Sequence, residues 1–197
     1  MKRLLAYLFL VLVLTFSLQS LTKAGDIREI QMGGISIGDS LLDYFNEKQI
    51  SIRAQSTAFK KKKFRLYEFN KHPKFKFSNY DIIQVYIKKN DNSYIIYSLR
   101  GLVAPIKFDE CKIKQNMIIS EIDTLFVNDK NITKGRFNYE PHDVDPKSKL
   151  KMLEYYFKSG SSITIMCADY QTIHWDDELA LSIEDKEFVN FLNNEAY

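Results

Sequence analysis

Asp81–Lys88 (DIIQVYIK) and Tyr94–Val103 (YIIYSLRGLV), separated by Asn90-Asp91-Asn92-Ser93, are the stretch that decides the fold. Both runs are rich in β-branched and aromatic residues, which suit a pleated, half-buried surface. The Asn/Asp/Ser cluster between them supplies turn chemistry. Together they predict an antiparallel β-hairpin.

Upstream, Ile30–Ile37 reads as a short strand. A helix then starts at Asp39 or Ser40, both good N-cap residues, and runs through Leu41, Leu42, Tyr44 and Phe45. Residues 51–79 are basic and irregular, with an edge strand at Phe64–Phe69. Downstream, Phe108–Phe126 spaces Cys111, Ile118, Ile122 and Leu125 as one face of an amphipathic helix. Val127–Ser148 is polar, aperiodic and carries two prolines, which reads as a loop. Met152–Lys158 and Ser162–Cys167 form strands about Gly160-Ser161, and Leu179–Ile183 is a further strand. Asp185–Leu192 is a short terminal helix, with Phe188 and either Phe191 or Leu192 facing inward.

Helix and hairpin therefore occur twice, which implies an α+β fold. Two helix-plus-antiparallel-hairpin units, residues 25–107 and 108–197, share one core, with helices on one face of the sheet. The halves are too dissimilar in sequence to establish a duplication.

The first 24 residues read as an address. Lys2 and Arg3 precede the uncharged run Leu4–Leu18; Gln19 and Ser20 then break it, and Thr22-Lys23-Ala24 offers small residues for a cut after Ala24. This is the layout of a secretory signal peptide. The competing reading is a retained anchor, since the 19 residues Leu4–Thr22 could just span a bilayer. No Cys precedes Cys111, which rules out a lipidated cysteine after the apolar run. The leader holds Lys2, Arg3 and Lys23 and no acidic residue, so the remainder has 25 basic and 25 acidic side chains. The basic balance that nucleic-acid binding relies on is lost with it. Export predicts a bond between the two cysteines, Cys111 and Cys167. The alternative is a pair of buried free thiols.

Gly38-Asp39-Ser40-Leu41 spells the nucleophile motif of GDSL hydrolases, with Ser40 as the nucleophile. Such a serine needs an imidazole base oriented by a carboxylate. The family's D-x-x-H is missing: Gln171 stands three residues before His174 and Tyr139 before His142, while His72 lies too early. Lys60-Lys61-Lys62-Lys63 with Arg65, followed by Tyr67, Phe69, His72, Lys74, Phe75, Lys76 and Phe77, interleaves cations and aromatics. That pattern suits anionic headgroups or a polyanionic glycan, or a solvated loop whose aromatics pack inward. Glu140, His142, Asp143 and Asp145 lack a second imidazole for zinc and the regular spacing of a calcium loop. His174-Trp175-Asp176-Asp177 reads as an aromatic anchor followed by capping carboxylates, and Asn131-Ile132-Thr133 is a glycosylation sequon. Neither a metal nor a cofactor is expected.

The run Ile35-Ser36-Ile37-Gly38-Asp39-Ser40-Leu41-Leu42 resembles the helix-start motif of small envelope domains of the SmpA/OmlA and β-lactamase-inhibitor-protein-like type. These pair I-x-[LI]-G-x-S with a following helix and hairpin, and they act by binding other proteins. Gly38–Phe45, Lys88-Lys89-Asn90-Asp91 and Ala196-Tyr197 are similar to stretches of uncharacterised exported proteins of marine bacteria. The resemblance implies an exported, non-catalytic envelope or secreted binding domain. Its sheet face, or the segment Lys60, Lys61, Lys62, Lys63 and Arg65, would contact an envelope protein or an anionic surface. The alternative is a serine ester hydrolase acting through Ser40.

Overall fold

The computed structural model describes residues 26–70, 79–141, 147–171 and 175–197. The leader, residues 1–24, lies outside them, as do His72, His142, Asp143, Asp145 and His174.

A two-residue ladder, β1 (Gln31–Met32) with β2 (Ile35–Ser36), turns at Gly33-Gly34, where both glycines take positive φ. A 3-10 turn, Leu41–Asp43, and a short helix α1 (Glu47–Ser51) follow, the latter closed by an Asn46/Gln49 capping box. The remaining strands are β3 (Ala54–Gln55), β4 (Phe64–Asn70), β5 (Ile82–Lys88), β6 (Ile96–Val103), β7 (Ile132–Pro141), β8 (Lys149–Phe157), β9 (Ser162–Asp169) and β10 (Glu178–Glu184). Helix α2 (Phe108–Leu125) separates the two strand series, and helix α3 (Lys186–Asn194) follows the last strand.

The α+β reading holds. All eight long-sheet strands pair antiparallel in the order β3-β4-β5-β6-β10-β9-β8-β7. Each strand series is a meander, and the two meet where β6 pairs with β10. The expected hairpin is β5–β6.

Registers show how the core is laid. Phe69, Ile83, Gly101, Leu181, Ile165 and Leu153 stand opposite one another across six strands. Tyr67, Val85, Leu99, Ile183, Ile163 and Tyr155 form the adjacent row on the same face. Residues two apart on a strand share a face, so both rows point into one layer. Every side chain in them is buried. Burial of each such apolar side chain contributes about 1.5–3 kcal/mol.

The unit helices cover this face. Ile50 of α1 and Phe45 before it join the core, and Phe45 stacks on Phe69 at 4.7 Å between ring centroids. Helix α2 lies on β9 and β10. Its inward line is Cys111, Gln115, Ile119 and Ile122. Cys111 is bonded to Cys167 of β9, with Cα atoms 5.8 Å apart and 56 residues between them. Closing a loop of this length removes about 4 kcal/mol of unfolded-chain entropy in the usual model. One turn later Gln115, fully buried, donates its amide hydrogens to the carbonyls of Lys151 and Ile165 at 2.9 and 3.0 Å. Tyr155 then donates to Asp123 at 2.9 Å.

Three expectations are corrected here. Leu125 is 64% exposed rather than inward, because the disulfide and the Gln115 amide set the rotation of α2. The segment Val127–Ser148, read as a loop, contains strand β7. It lies at the sheet margin and pairs with β8 alone, so backbone hydrogen bonding marks it where hydropathy does not. The helix expected from Leu41 is a single 3-10 turn, and Leu42 is 40% exposed.

The sheet's other face carries a smaller aromatic cluster. Phe188 and Phe191 of α3 pack with Phe59, Phe64, Tyr86 and Tyr97. Helix α3 therefore sits opposite α1 and α2, over β4, β5 and β6, so the expectation of helices on one face holds for α1 and α2 but not for α3, whose two phenylalanines need the aromatic cover of the reverse face.

Gly101 is closely covered on its core face. A Cβ there would stand 2.6 Å from the Tyr80 ring and 2.7 Å from the Met32 sulfur. Gly101→Ala is expected to cost about 1–3 kcal/mol through overpacking. Urea unfolding of the variant beside wild type measures it.

Candidate functional site

Each residue of Gly38-Asp39-Ser40 has a structural task. Gly38 takes φ 90°, a left-handed conformation that glycine adopts freely. The Asp39 carboxylate accepts the Ser36 N–H at 2.8 Å and the Tyr44 hydroxyl at 2.8 Å. Burial, followed by this hydrogen bond, pushes the Tyr44 phenol up to about 12. Ser40 accepts the Leu42 N–H at 3.2 Å as the cap of the 3-10 turn, and its hydroxyl donates to the Ser93 carbonyl at 2.6 Å. The backbone of the segment also pairs with the start of β6: Gly38 N–H reaches the Ile96 carbonyl at 3.0 Å, and Ile96 N–H the Asp39 carbonyl at 2.9 Å. Among the described residues, the polar partners of the Ser40 hydroxyl are thus backbone groups.

The basic run faces α3. Lys61 and Lys63 lie 3.5 and 3.4 Å from Glu195, Lys63 lies 3.6 Å from Glu187, and Lys88 of β5 lies 2.7 Å from Glu187. The Lys60 N–H donates to the Ala196 carbonyl at 2.7 Å, and the Lys62 ammonium to the Thr57 carbonyl at 2.6 Å. Much of the charge that looks like a free cationic patch in the sequence serves to hold the terminal helix. Arg65 is exposed on β4. Lys88 also lies over the Tyr97 ring, 4.5 Å from its centroid.

No family model, curated protein or solved structure matches this chain.

The candidate site therefore rests on the residues themselves. The most distinctive surface is the sheet face opposite α2, on β6, β10, β9 and β8, beyond the reach of α3. One row across it reads Glu68, Gln84, Arg100, Ser182, Thr164, Glu154. The row beside it ends in Ser98, Glu184, Ser162 and Tyr156. Gln84 donates to Glu68 at 3.0 Å, and Arg100 pairs with Glu178 at 2.7 Å. Ser162 donates to Glu184 at 3.1 Å, and Tyr156 donates to Glu154. Burial, the largest influence, raises the carboxyls of both Glu154 and Glu184 above the ordinary range. Half-buried Met152 and Met166 stand opposite each other on the same face. Tyr156 is 42% exposed, and Trp175, edge-on to Tyr170 at 5.3 Å, is 52% exposed.

On these four strands three carboxylates, Glu154, Glu178 and Glu184, stand against the Arg100 guanidinium, and beside methionines and aromatics they suit a polar and apolar contact with another molecule. The hydroxyl–carboxylate contacts of this face join neighbouring strands, Ser162 of β9 to Glu184 of β10 and Thr164 of β9 to Glu154 of β8. Among the described residues no group of three or more His, Cys, Asp or Glu is placed to hold a metal. In the sequence this face shows only as the polar half of the strand alternation, at Gln84, Arg100, Glu154, Thr164, Ser182 and Glu184. Which polar residues from distant strands lie side by side is fixed by registers that the sequence does not display.

Two expectations follow. If Ser40 is a cap, Ser40→Ala costs about 1 kcal/mol, whereas Leu41→Ala, fully buried, costs about 2–5 kcal/mol. Leu42→Ala stays near neutral; urea titrations of the three variants rank them. The second concerns Glu184, whose carboxyl is held protonated to higher pH in the folded state than in the unfolded chain. The unfolded state therefore releases its proton first as pH rises, and folding loses stability from about pH 4.5, the ordinary value, up through the raised one. Glu184→Gln should raise the urea midpoint at pH 7 and leave it unchanged near pH 4; a loss of stability at both would contradict the assignment.

Proposed function

We propose that the protein is an exported, non-catalytic binding domain that engages a partner protein through the sheet face formed by β6, β10, β9 and β8. The observation that carries this reading is the composition of that face. Half-buried Met152 and Met166, with exposed Tyr156 and Trp175, lie beside carboxylates that outnumber their cations. Aromatic and methionine side chains are the types enriched in protein contacts. The disulfide supports export, because such bonds persist in oxidising compartments. Among the described residues no helix is long and apolar enough to cross a membrane. The leader-like first 24 residues supply the route, and the envelope-domain resemblance points to the same role. The hydrogen bonds of Ser40 favour a structural over a catalytic use of Gly38-Asp39-Ser40.

The test has two arms. A photo-crosslinking residue at Met166 or Tyr156 of the exported protein is expected to capture one common partner. The same residue at Ile113, exposed on the outer side of α2, should not. Identical products from both sides would refute the assigned face. In the second arm the protein is offered p-nitrophenyl acetate; turnover that disappears in Ser40→Ala would replace the binding reading with the hydrolase.

A further inference from the structure

A cavity of about 780 Å³ opens at the end of the sheet away from the loop that joins β9 to β10, and nothing in the proposed face uses it. The two halves meet there. One wall comes from residues 26–28 and the Ile37-Gly38 turn, another from the start of β6, and the far side from the β8–β9 turn and the entry to α3. Its size falls in the range of small-molecule sites.

The lining divides by chemistry. Ile37 and Phe157 border it with the edges of largely buried side chains and Ile95 is partly exposed, while Arg28, Lys158 and Lys186 supply three cations from three separate segments. Two carboxylates also line it, and both already have work. Asp26 accepts from the Arg28 guanidinium through both oxygens, and also from the Arg28 N–H. Asp185 accepts the Glu187 N–H as the N-cap of α3. Among the described residues no carboxylate pairs with the ammonium of Lys158 or Lys186. The Ser159 and Ser161 hydroxyls stand at the same rim.

Positive charge in excess of its counter-charge over an apolar floor fits one kind of ligand. We infer that this cavity binds a small anionic amphiphile, with a phosphate or carboxylate head at Lys158 and Lys186 and a hydrocarbon body on Ile37, Ile95 and Phe157. Charge-assisted hydrogen bonds hold the head, and removal of the body from water supplies the remaining affinity. The site is independent of the proposed protein-binding face. Its head chemistry is shared by free alkyl phosphates or fatty acids and by the headgroup of an anionic lipid.

Isothermal titration of the full exported protein with octyl phosphate decides it. One saturable site is expected, with octanol and inorganic phosphate each about tenfold weaker or worse, since each lacks half of the recognised chemistry. The double variant Lys158→Glu/Lys186→Glu should lose about tenfold in affinity or more at an unchanged urea midpoint, because both side chains are exposed. A milder pair, Lys158→Gln/Lys186→Gln, should fall between the two. Co-sedimentation with phosphatidylglycerol vesicles but not phosphatidylcholine vesicles, lost in the double variant, assigns the anion to a lipid. Titration with octyl phosphate but no co-sedimentation assigns it to a soluble ligand. Octanol binding as tightly as octyl phosphate, full affinity in the charge-reversed variant, or no binding of any probe would overturn the inference.

Discussion

The antiparallel pairing of β6 with β10 is the constraint on which everything else in this protein depends. Each half alone is a meander with its inner margin, β6 or β10, left open. Joining Leu99 to Ile183 and Gly101 to Leu181 makes the two apolar rows continuous across six strands. The same register puts Arg100 opposite Ser182 on the reverse face, and so assembles the mixed polar surface from both halves. Gly101 matters because it lies on this seam: its missing side chain leaves room for Tyr80 and Met32 to cover the middle of the sheet.

Helix α2 shows how a polar side chain can specify packing that hydrophobicity leaves open. Apolar residues lie all round this helix, with Ile113 and Met117 exposed on its outer side. Periodicity alone therefore leaves its rotation undetermined. A covalent bond at Cys111 and two amide hydrogen bonds at Gln115 choose the inward line. An unmet amide in that interior costs about 1–3 kcal/mol, so rotations that strand Gln115 are disfavoured more sharply than those that merely exchange one isoleucine for another.

What could be read from the sequence follows the same logic. The β5–β6 hairpin was legible because turn chemistry and β-branched runs are local. Phe188 was legible as inward because a short amphipathic helix shows its face directly, whereas the choice between Phe191 and Leu192 was left to the structure, which buries Phe191. Strand β7 was not, since a marginal strand needs hydrogen bonds from one neighbour and no apolar stripe. The rotation of α2 was hidden because Gln115 reads as a surface residue. The basic run Lys60–Lys63 was ambiguous for a different reason. Its counter-charge, Glu195, lies 134 residues away from Lys61 in sequence, and no local pattern announces such a partner. The sheet face and the cavity are built from registers and turns of both halves, so their membership becomes visible only in three dimensions.

The position of α3 carries a consequence for how the protein comes into being. The aromatic surface of Phe59, Phe64, Tyr86 and Tyr97 belongs to the first half, but its cover, Phe188 and Phe191, comes from the second. The same order governs β6, whose outer partner β10 arrives some eighty positions later. A chain emerging N-terminus first can complete its first meander yet leaves one face of it greasy and its β6 margin unpaired until the second half has followed. Non-local closure of this kind slows folding and invites wrong pairings meanwhile. A polypeptide kept unfolded until both halves are present escapes that interval, so the architecture is better matched to joint closure of the two halves than to stepwise folding of the first.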